Sequence, residues 1–171
     1  MEHSVCFIGH RKINDTPQLR KRLRQVLSQL IESGTVNFIF GDRSEFDKLC
    51  YDSVTQLREL YPQIRRIKFR KDYENTNEYT MKLLSYGYEE SICPKGIDSA
   101  GRACYAERNQ AMILESDICI FYYDKSYFPS RRKYAKNCLN DYQPKSGTAI
   151  AYQYAVKSKK TIINCFFKEN I

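Results

Sequence analysis

Six short apolar runs, separated by longer amphipathic stretches, constrain this chain more than any other feature of its sequence. The runs are Val5 to Gly9, Val36 to Phe40, Ile64 to Phe69, Tyr88 to Ile92, Ile118 to Tyr123 and Thr161 to Phe166. A run of this length suits a strand covered on both faces of a sheet. The stretches between them repeat apolar residues at helical spacing, so strands and helices alternate along the chain. That alternation predicts an α/β fold: a Rossmann-like, doubly wound, mostly parallel sheet with helices on both faces. Tyr88 to Ile92 carries the faintest of the strand patterns.

Local signals set the expected boundaries. Thr16 reads as an N-cap with Pro17 at the first helical position. Leu19, Leu23, Val26, Leu27, Leu30 and Ile31 then keep one face as far as Gly34, a C-terminal stop. A second helix is expected over 47–60, with Leu49, Val54, Leu57 and Leu60 inside. Further helices are expected over 75–87, over 103–115 and from Ser146-Gly147-Thr148 to Lys157. No repeat or second unit is visible, so residues 1–171 read as one domain. The polar, aromatic and basic stretch 124–145 reads as a lid or an insertion loop.

Composition narrows the classes. Hydrophobic residues make up 42% and charged residues 28% of the chain, values of a globular protein rather than a disordered one. No apolar run approaches the roughly 18 residues of a membrane span, and the start of the chain runs directly into a strand, so a cytoplasmic protein without a leader is expected. The cysteines are Cys6, Cys50, Cys93, Cys104, Cys119, Cys138 and Cys165, none of them closely paired. With His3 and His10 the only histidines, neither a zinc site nor any other metal or cofactor is expected, and the thiols read as reduced and buried. The formal charge of +8 favours polyanionic partners, either phosphorylated small molecules or nucleic acid.

In a doubly wound sheet, ligands gather beyond the C-terminal ends of the strands. Four polar segments should meet there. Gly9-His10-Arg11 follows the first strand, and Gly41-Asp42 follows the second. Glu107-Arg108-Asn109 opens a helix, and Ser146-Gly147-Thr148 opens the last one. The Ser-Gly-Thr turn offers N–H groups and a hydroxyl at a helix N-terminus, the parts of an anion site or of an ordinary cap. Arg108 shares a helical stripe with Cys104 and Met112, so its guanidinium needs a partner near a buried face: a phosphate, or an internal carboxylate such as Asp98 or Asp117. Glu107 shares its stripe with Ala103, Ala111 and Leu114 and is expected to lean inward. Asp42 and Asp47 are acceptors for ribose hydroxyls or helix caps, the cap being the expected role of Asp47. Tyr127 to Tyr134 interleaves rings with cations, as a lid, a single-strand binding surface or a solvated loop.

Cys6-Phe7-Ile8-Gly9-His10-Arg11 resembles the opening motif of YpsA-like proteins. Ala106 to Met112, followed by Ser116-Asp117 and a strand, resembles their central motif. Ser146-Gly147-Thr148-Ala149, with Tyr154-Ala155 and a last strand from Thr161 to Asn164, resembles their C-terminal block. These proteins belong to the SLOG superfamily, the Rossmann-like group named after the Smf/DprA and LOG proteins. The resemblance implies binding of nucleotides or of nucleotide-derived ligands such as ADP-ribose, and related folds often form homo-oligomers. In LOG-type phosphoribohydrolases, a turn resembling Ser146-Gly147-Thr148 binds phosphate. There an Arg, matched by Arg108, joins a Glu three residues after the Thr in cleaving the N-glycosidic bond. That Glu position is Ala151 here. The second block departs as well: Gly41-Asp42-Arg43-Ser44-Glu45-Phe46-Asp47 keeps Phe-Asp but not the Gly-rich turn.

Three readings follow. The first is a binding or sensing domain for a nucleotide or ADP-ribose-like ligand, with Gly9, His10, Arg11, Gly41, Asp42, Arg108, Asn109, Ser146, Gly147 and Thr148 around it. The second is an N-glycosidic hydrolase acting on a nucleotide, with Glu107 as a non-standard acid. The third is a DprA-like single-stranded nucleic-acid binder.

Overall fold

The computed structural model describes residues 3–41, 44–71, 77–97, 103–128 and 145–167. Six strands form one sheet: β1 (His3–Gly9), β2 (Thr35–Phe40), β3 (Arg65–Phe69), β4 (Glu90–Ile92), β5 (Ile118–Tyr122) and β6 (Thr161–Asn164). Their order is β4-β3-β2-β1-β5-β6, and every pairing is parallel. The sheet is therefore wholly rather than mostly parallel, because every connection between paired strands carries its chain back along a helix or a long loop. The strand order reverses between β1 and β5, and this sets the switch point of the doubly wound fold.

The helices are α1 (Pro17–Glu32), α2 (Glu45–Arg58), α3 (Glu78–Gly87), α4 (Cys104–Leu114) and α5 (Gly147–Lys157). Alternate residues of β1 face different cores. Val5 and Phe7 pack with Leu19, Leu23 and Leu27 of α1 and with Phe46 and Val54 of α2. Cys6 and Ile8 pack with Met112 and Ile113 of α4 and with Ala151 and Ala155 of α5. A period of two thus sends each strand's side chains into both layers. Thr16 caps α1 by accepting from the N–H of Leu19 at 3.2 Å, and Gly34 follows the helix at a φ of +99°.

Both ends of α2 differ from expectation. The helix α2 begins at Glu45, because Ser44 supplies the N-cap and its Oγ accepts from the N–H of Asp47 at 2.9 Å. Asp47 is consequently in the first turn and is not the cap. At the other end α2 stops at Arg58, so Leu60 falls beyond the helix and is 68% exposed rather than inside. Arg66 of β3, almost wholly buried, fixes the β3–β4 edge. Its guanidinium donates to both Glu89 oxygens, to Tyr51 Oη and to Thr55 Oγ1. Five of the cysteines are buried free thiols and Cys93 is half-buried, while Cys138 lies outside the described residues. No helix among the described residues is long and apolar enough to cross a membrane.

Gly9 is where α2 meets β1. A Cβ there would lie 2.5 Å from Phe46 Cβ and from its ring, and Phe46 is fully buried with nowhere to retreat. We expect Gly9→Ala to lower unfolding stability by about 1–3 kcal/mol in a urea titration, as overpacking does. Gly147→Ala, whose added Cβ meets nothing within 4 Å, is expected to stay within about 0.5 kcal/mol of wild type.

Candidate functional site

The C-terminal edge of the sheet is where the polar segments meet. After β1, the turn from His10 to Lys12 is tied to the start of α2 through Glu45. Its N–H donates to the Arg11 carbonyl at 2.9 Å, and its carboxylate accepts from Lys12 Nζ at 2.5 Å and from the Ile13 N–H at 3.1 Å. Arg11 itself is exposed. Lys12 holds the Glu45 carboxyl below its ordinary range, with the Ile13 N–H adding to the effect. The loop after β1 and the start of α2 thus form one unit.

Gly41, directly after β2, is the centre of a second cluster. A Cβ on it would lie 2.9 Å from one terminal nitrogen of Arg108, so only a glycine lets that guanidinium rest against the turn. The Gly41 carbonyl accepts from Lys68 Nζ at 2.5 Å, and its N–H donates to Asp47 Oδ1 at 3.2 Å. Lys71, just past β3, is fully buried and donates to Tyr105 Oη at 2.9 Å, with its ammonium 4.0 Å from the centre of that ring. Arg108 also lies 5.6 Å from the Tyr105 ring and donates to Asn109 Oδ1 at 3.2 Å. Lys68, Lys71 and Arg108 are 8%, 0% and 4% exposed, so three cations are buried at one end of the sheet beside one buried carboxylate, Asp47.

The predicted stripe on α4 holds: Cys104, Arg108 and Met112 are all buried. The neighbouring stripe does not turn inward. Glu107 is exposed, and Leu114 on the same side is 55% exposed, because α4 rests on the sheet and α5 through the other face. Asp117 is not a partner for Arg108 either. It lies beyond the far end of α4, where its carboxylate accepts from the Ser4 N–H at 2.9 Å and faces His3. Asp42 and Asp98 fall outside the described residues, as does most of the stretch from Tyr127 to Tyr134. Ser146 caps α5, its Oγ accepting from the Ala149 N–H at 3.1 Å; Thr148 is buried behind it and Gly147 opens outward. Ala151, where LOG-type enzymes carry Glu, is 2% exposed and belongs to the core under α4 and α5.

His10 sits at the switch point itself. Its N–H donates to the Tyr122 carbonyl at 3.3 Å, bridging β1 to β5. The imidazole is 2% exposed, and its Nε2 accepts from the Asp124 N–H at 3.0 Å. An accepting Nε2 puts the proton of the neutral ring on Nδ1, which is buried and meets no hydrogen-bond partner among the described residues. Tyr127 lies over the ring at 4.1 Å between centroids. Burial pushes the imidazole below its ordinary pKa, with Asp124 acting against it.

Gly9, His10, Gly41 and Arg108, which the sequence singled out, lie at this edge; Lys68 and Lys71 lie there too and were not singled out. The available signal was a lysine inside the run from Ile64 to Phe69. In a sheet covered on both faces, a cation there has to be buried somewhere.

The sequence matches the YspA SLOG family, YpsA, over residues 8–156. The chain belongs to that family. Among solved structures, DNA processing protein A from Helicobacter pylori, described for its single-stranded DNA binding mode, superposes with a TM-score of 0.52 at 17% identity. That match covers 94% of this chain and 63% of the other, so this YpsA-family chain spans less than two thirds of its neighbour's length. The molybdenum cofactor carrier protein MCP from Chlamydomonas reinhardtii gives a TM-score of 0.53 at 13% identity, covering 95% of this chain and 75% of that one. At such identities the likeness establishes the shared fold. No curated protein matches the sequence.

The neutral state of His10 has a measurable consequence. The unfolded chain binds a proton at this ring at a higher pH than the folded chain does, so stability is full above the ordinary histidine pKa and falls as pH drops below it. Urea titrations between pH 7.5 and pH 5 should show wild type losing stability relative to His10→Gln across roughly pH 6.5 and below. Parallel curves would mean the ring is not buried neutral.

Proposed function

We propose that this protein binds a nucleotide-derived, phosphate-bearing ligand at the C-terminal edge of its sheet, without cleaving it. The observation that carries this reading is the burial of Lys68 and Arg108 against Gly41, with Lys71 and Arg108 sharing the Tyr105 ring beside them. Buried cations interact with an arriving anion far more strongly than exposed ones, since less solvent screens them. The first turns of α2 and α5 reach the same edge, where helix dipoles favour negative charge. Asn109 orients Arg108, and the Ser146-Gly147-Thr148 turn offers an open approach at Gly147. ADP-ribose-like molecules suit such an edge because they carry two phosphates and ribose hydroxyls.

Cleavage is disfavoured at the two positions that the sequence singled out for a carboxylate. An oxocarbenium-like centre needs an anionic neighbour. Position 151 offers a buried methyl, and Glu107 faces water on the outer side of α4. The activities of the two structural neighbours do not choose a ligand, because a fold hosts many functions.

A thermal-shift panel of nucleoside mono-, di- and triphosphates, NAD and ADP-ribose tests the reading. A ligand held at 100 times its Kd stabilises the native state by about 2.7 kcal/mol, which registers as several degrees. The shift is expected to vanish in Arg108→Ala and to shrink in Gly41→Ala, where the new methyl only has to push aside the end of a flexible side chain. No shift with any of these compounds, or an unchanged shift in Arg108→Ala, would sink the site.

A further inference from the structure

A different part of the molecule carries a second site. Where the chain leaves β5, its seam with α5 opens a shallow depression of about 320 Å³ lined by Tyr123, Lys125, Tyr152, Gln153, Val156 and Lys157. Its floor is aromatic. The rings of Tyr123 and Tyr152 lie 4.5 Å apart at 34°, and buried Phe121 meets Tyr152 edge-on at 5.1 Å and 73°. Asn164 clamps the Tyr123 backbone from both sides, accepting from its N–H at 3.0 Å and donating to its carbonyl at 2.9 Å. The floor is therefore fixed in advance, while both tyrosines stay half-exposed.

The rim is cationic. Lys125 and Lys157 are exposed, and neither joins an ion pair among the described residues. Asp124, the adjacent acid, turns toward Ser126, with Oδ1 accepting from its N–H at 2.8 Å and its Oγ at 2.7 Å. A rigid pair of rings beside two unpaired ammonium groups matches a flat aromatic ring that carries negative charge.

We propose that this depression holds a nucleobase on the Tyr123–Tyr152 floor, with the adjoining phosphate taken by Lys125 and Lys157. Base–tyrosine stacking tolerates any base, and the lysines act as point charges on the phosphate. The volume is at the lower end of small-ligand sites and is enough for a base. The chemistry is the same whether the base comes as a free nucleotide or within a single strand. The ends of β2 and β5 are separated by two strand spacings, about 10 Å, so this site and the Gly41 cluster can each be disabled by their own substitutions. The proposal does not depend on the reading of that cluster.

Equilibrium dialysis of AMP and of hexadeoxyadenylate against the full chain tests it, with Tyr152→Leu, Lys125→Glu/Lys157→Glu and Arg108→Ala as variants. Tyr152→Leu is expected to weaken binding of at least one probe by about 5- to 100-fold. The double lysine variant should weaken the same probe and flatten its salt dependence. Arg108→Ala should leave that Tyr152-dependent binding in place. Response of AMP assigns the site to free nucleotides; response of the oligonucleotide alone assigns it to single strands. If Tyr152→Leu unfolds, the surface lysine pair decides by itself. Wild-type affinity for both probes in the lysine pair and in a folded Tyr152→Leu overturns the proposal, as does no binding of either probe to wild type at millimolar concentration. Loss in Arg108→Ala alone would overturn it too, while leaving the Gly41 site standing.

Discussion

Burying Lys68, Lys71 and Arg108 at one end of the sheet sets the terms for everything around them. An ammonium or guanidinium taken out of water is costly unless its protons find acceptors. Gly41 meets much of that demand. Its carbonyl accepts a hydrogen bond from Lys68, its missing side chain leaves room for Arg108, and its N–H holds Asp47 in place. Tyr105 does the same for Lys71 through both hydroxyl and ring. A residue other than glycine at 41 would displace Arg108 first, because the guanidinium is the movable party.

This cluster sits in a frame that is already rigid. Glu45 laces the loop after β1 to the start of α2, and His10 bridges β1 to β5 through its backbone while its ring accepts from Asp124. The loops at the switch point are therefore joined to each other as well as to their strands. Groups held in place before a ligand arrives lose little entropy on binding, which favours affinity from few contacts. The same logic applies to Tyr123, pinned by Asn164 at the mouth of β5.

Much of this was legible in the sequence, and the exceptions share a cause. The clearest strands and the first two helices followed from the period of their apolar residues, since burial on two faces or on one leaves different patterns. Arg108 was visible because its stripe carries Cys104 and Met112. Glu107 was misjudged because Ala103, Ala111 and Leu114 are small or tolerant enough to sit at the surface, so an apolar stripe there does not fix its direction. Lys68 and Lys71 were passed over because lysine usually marks solvent, and only the third dimension brings the ends of β2, β3 and α4 together. Asp47 looked like a cap because aspartate favours that position; the Ser44 hydroxyl bond places the cap three residues earlier.

What the edge can do chemically follows from the signs and states of its groups. The buried carboxylate among the described residues, Asp47, is engaged by the Gly41 N–H in the first turn of α2, a place that favours an anion as an acceptor. Burial holds the imidazole of His10 below its ordinary pKa, and its Nε2 already accepts a hydrogen bond from the Asp124 N–H. A general base needs an available lone pair, and Asp47 Oδ1 and His10 Nε2 each already accept a hydrogen bond from a backbone N–H. The cations, by contrast, need no change of state to act. Buried cations beside a carboxylate held by the Gly41 N–H act on an arriving anion without first gaining or losing a proton.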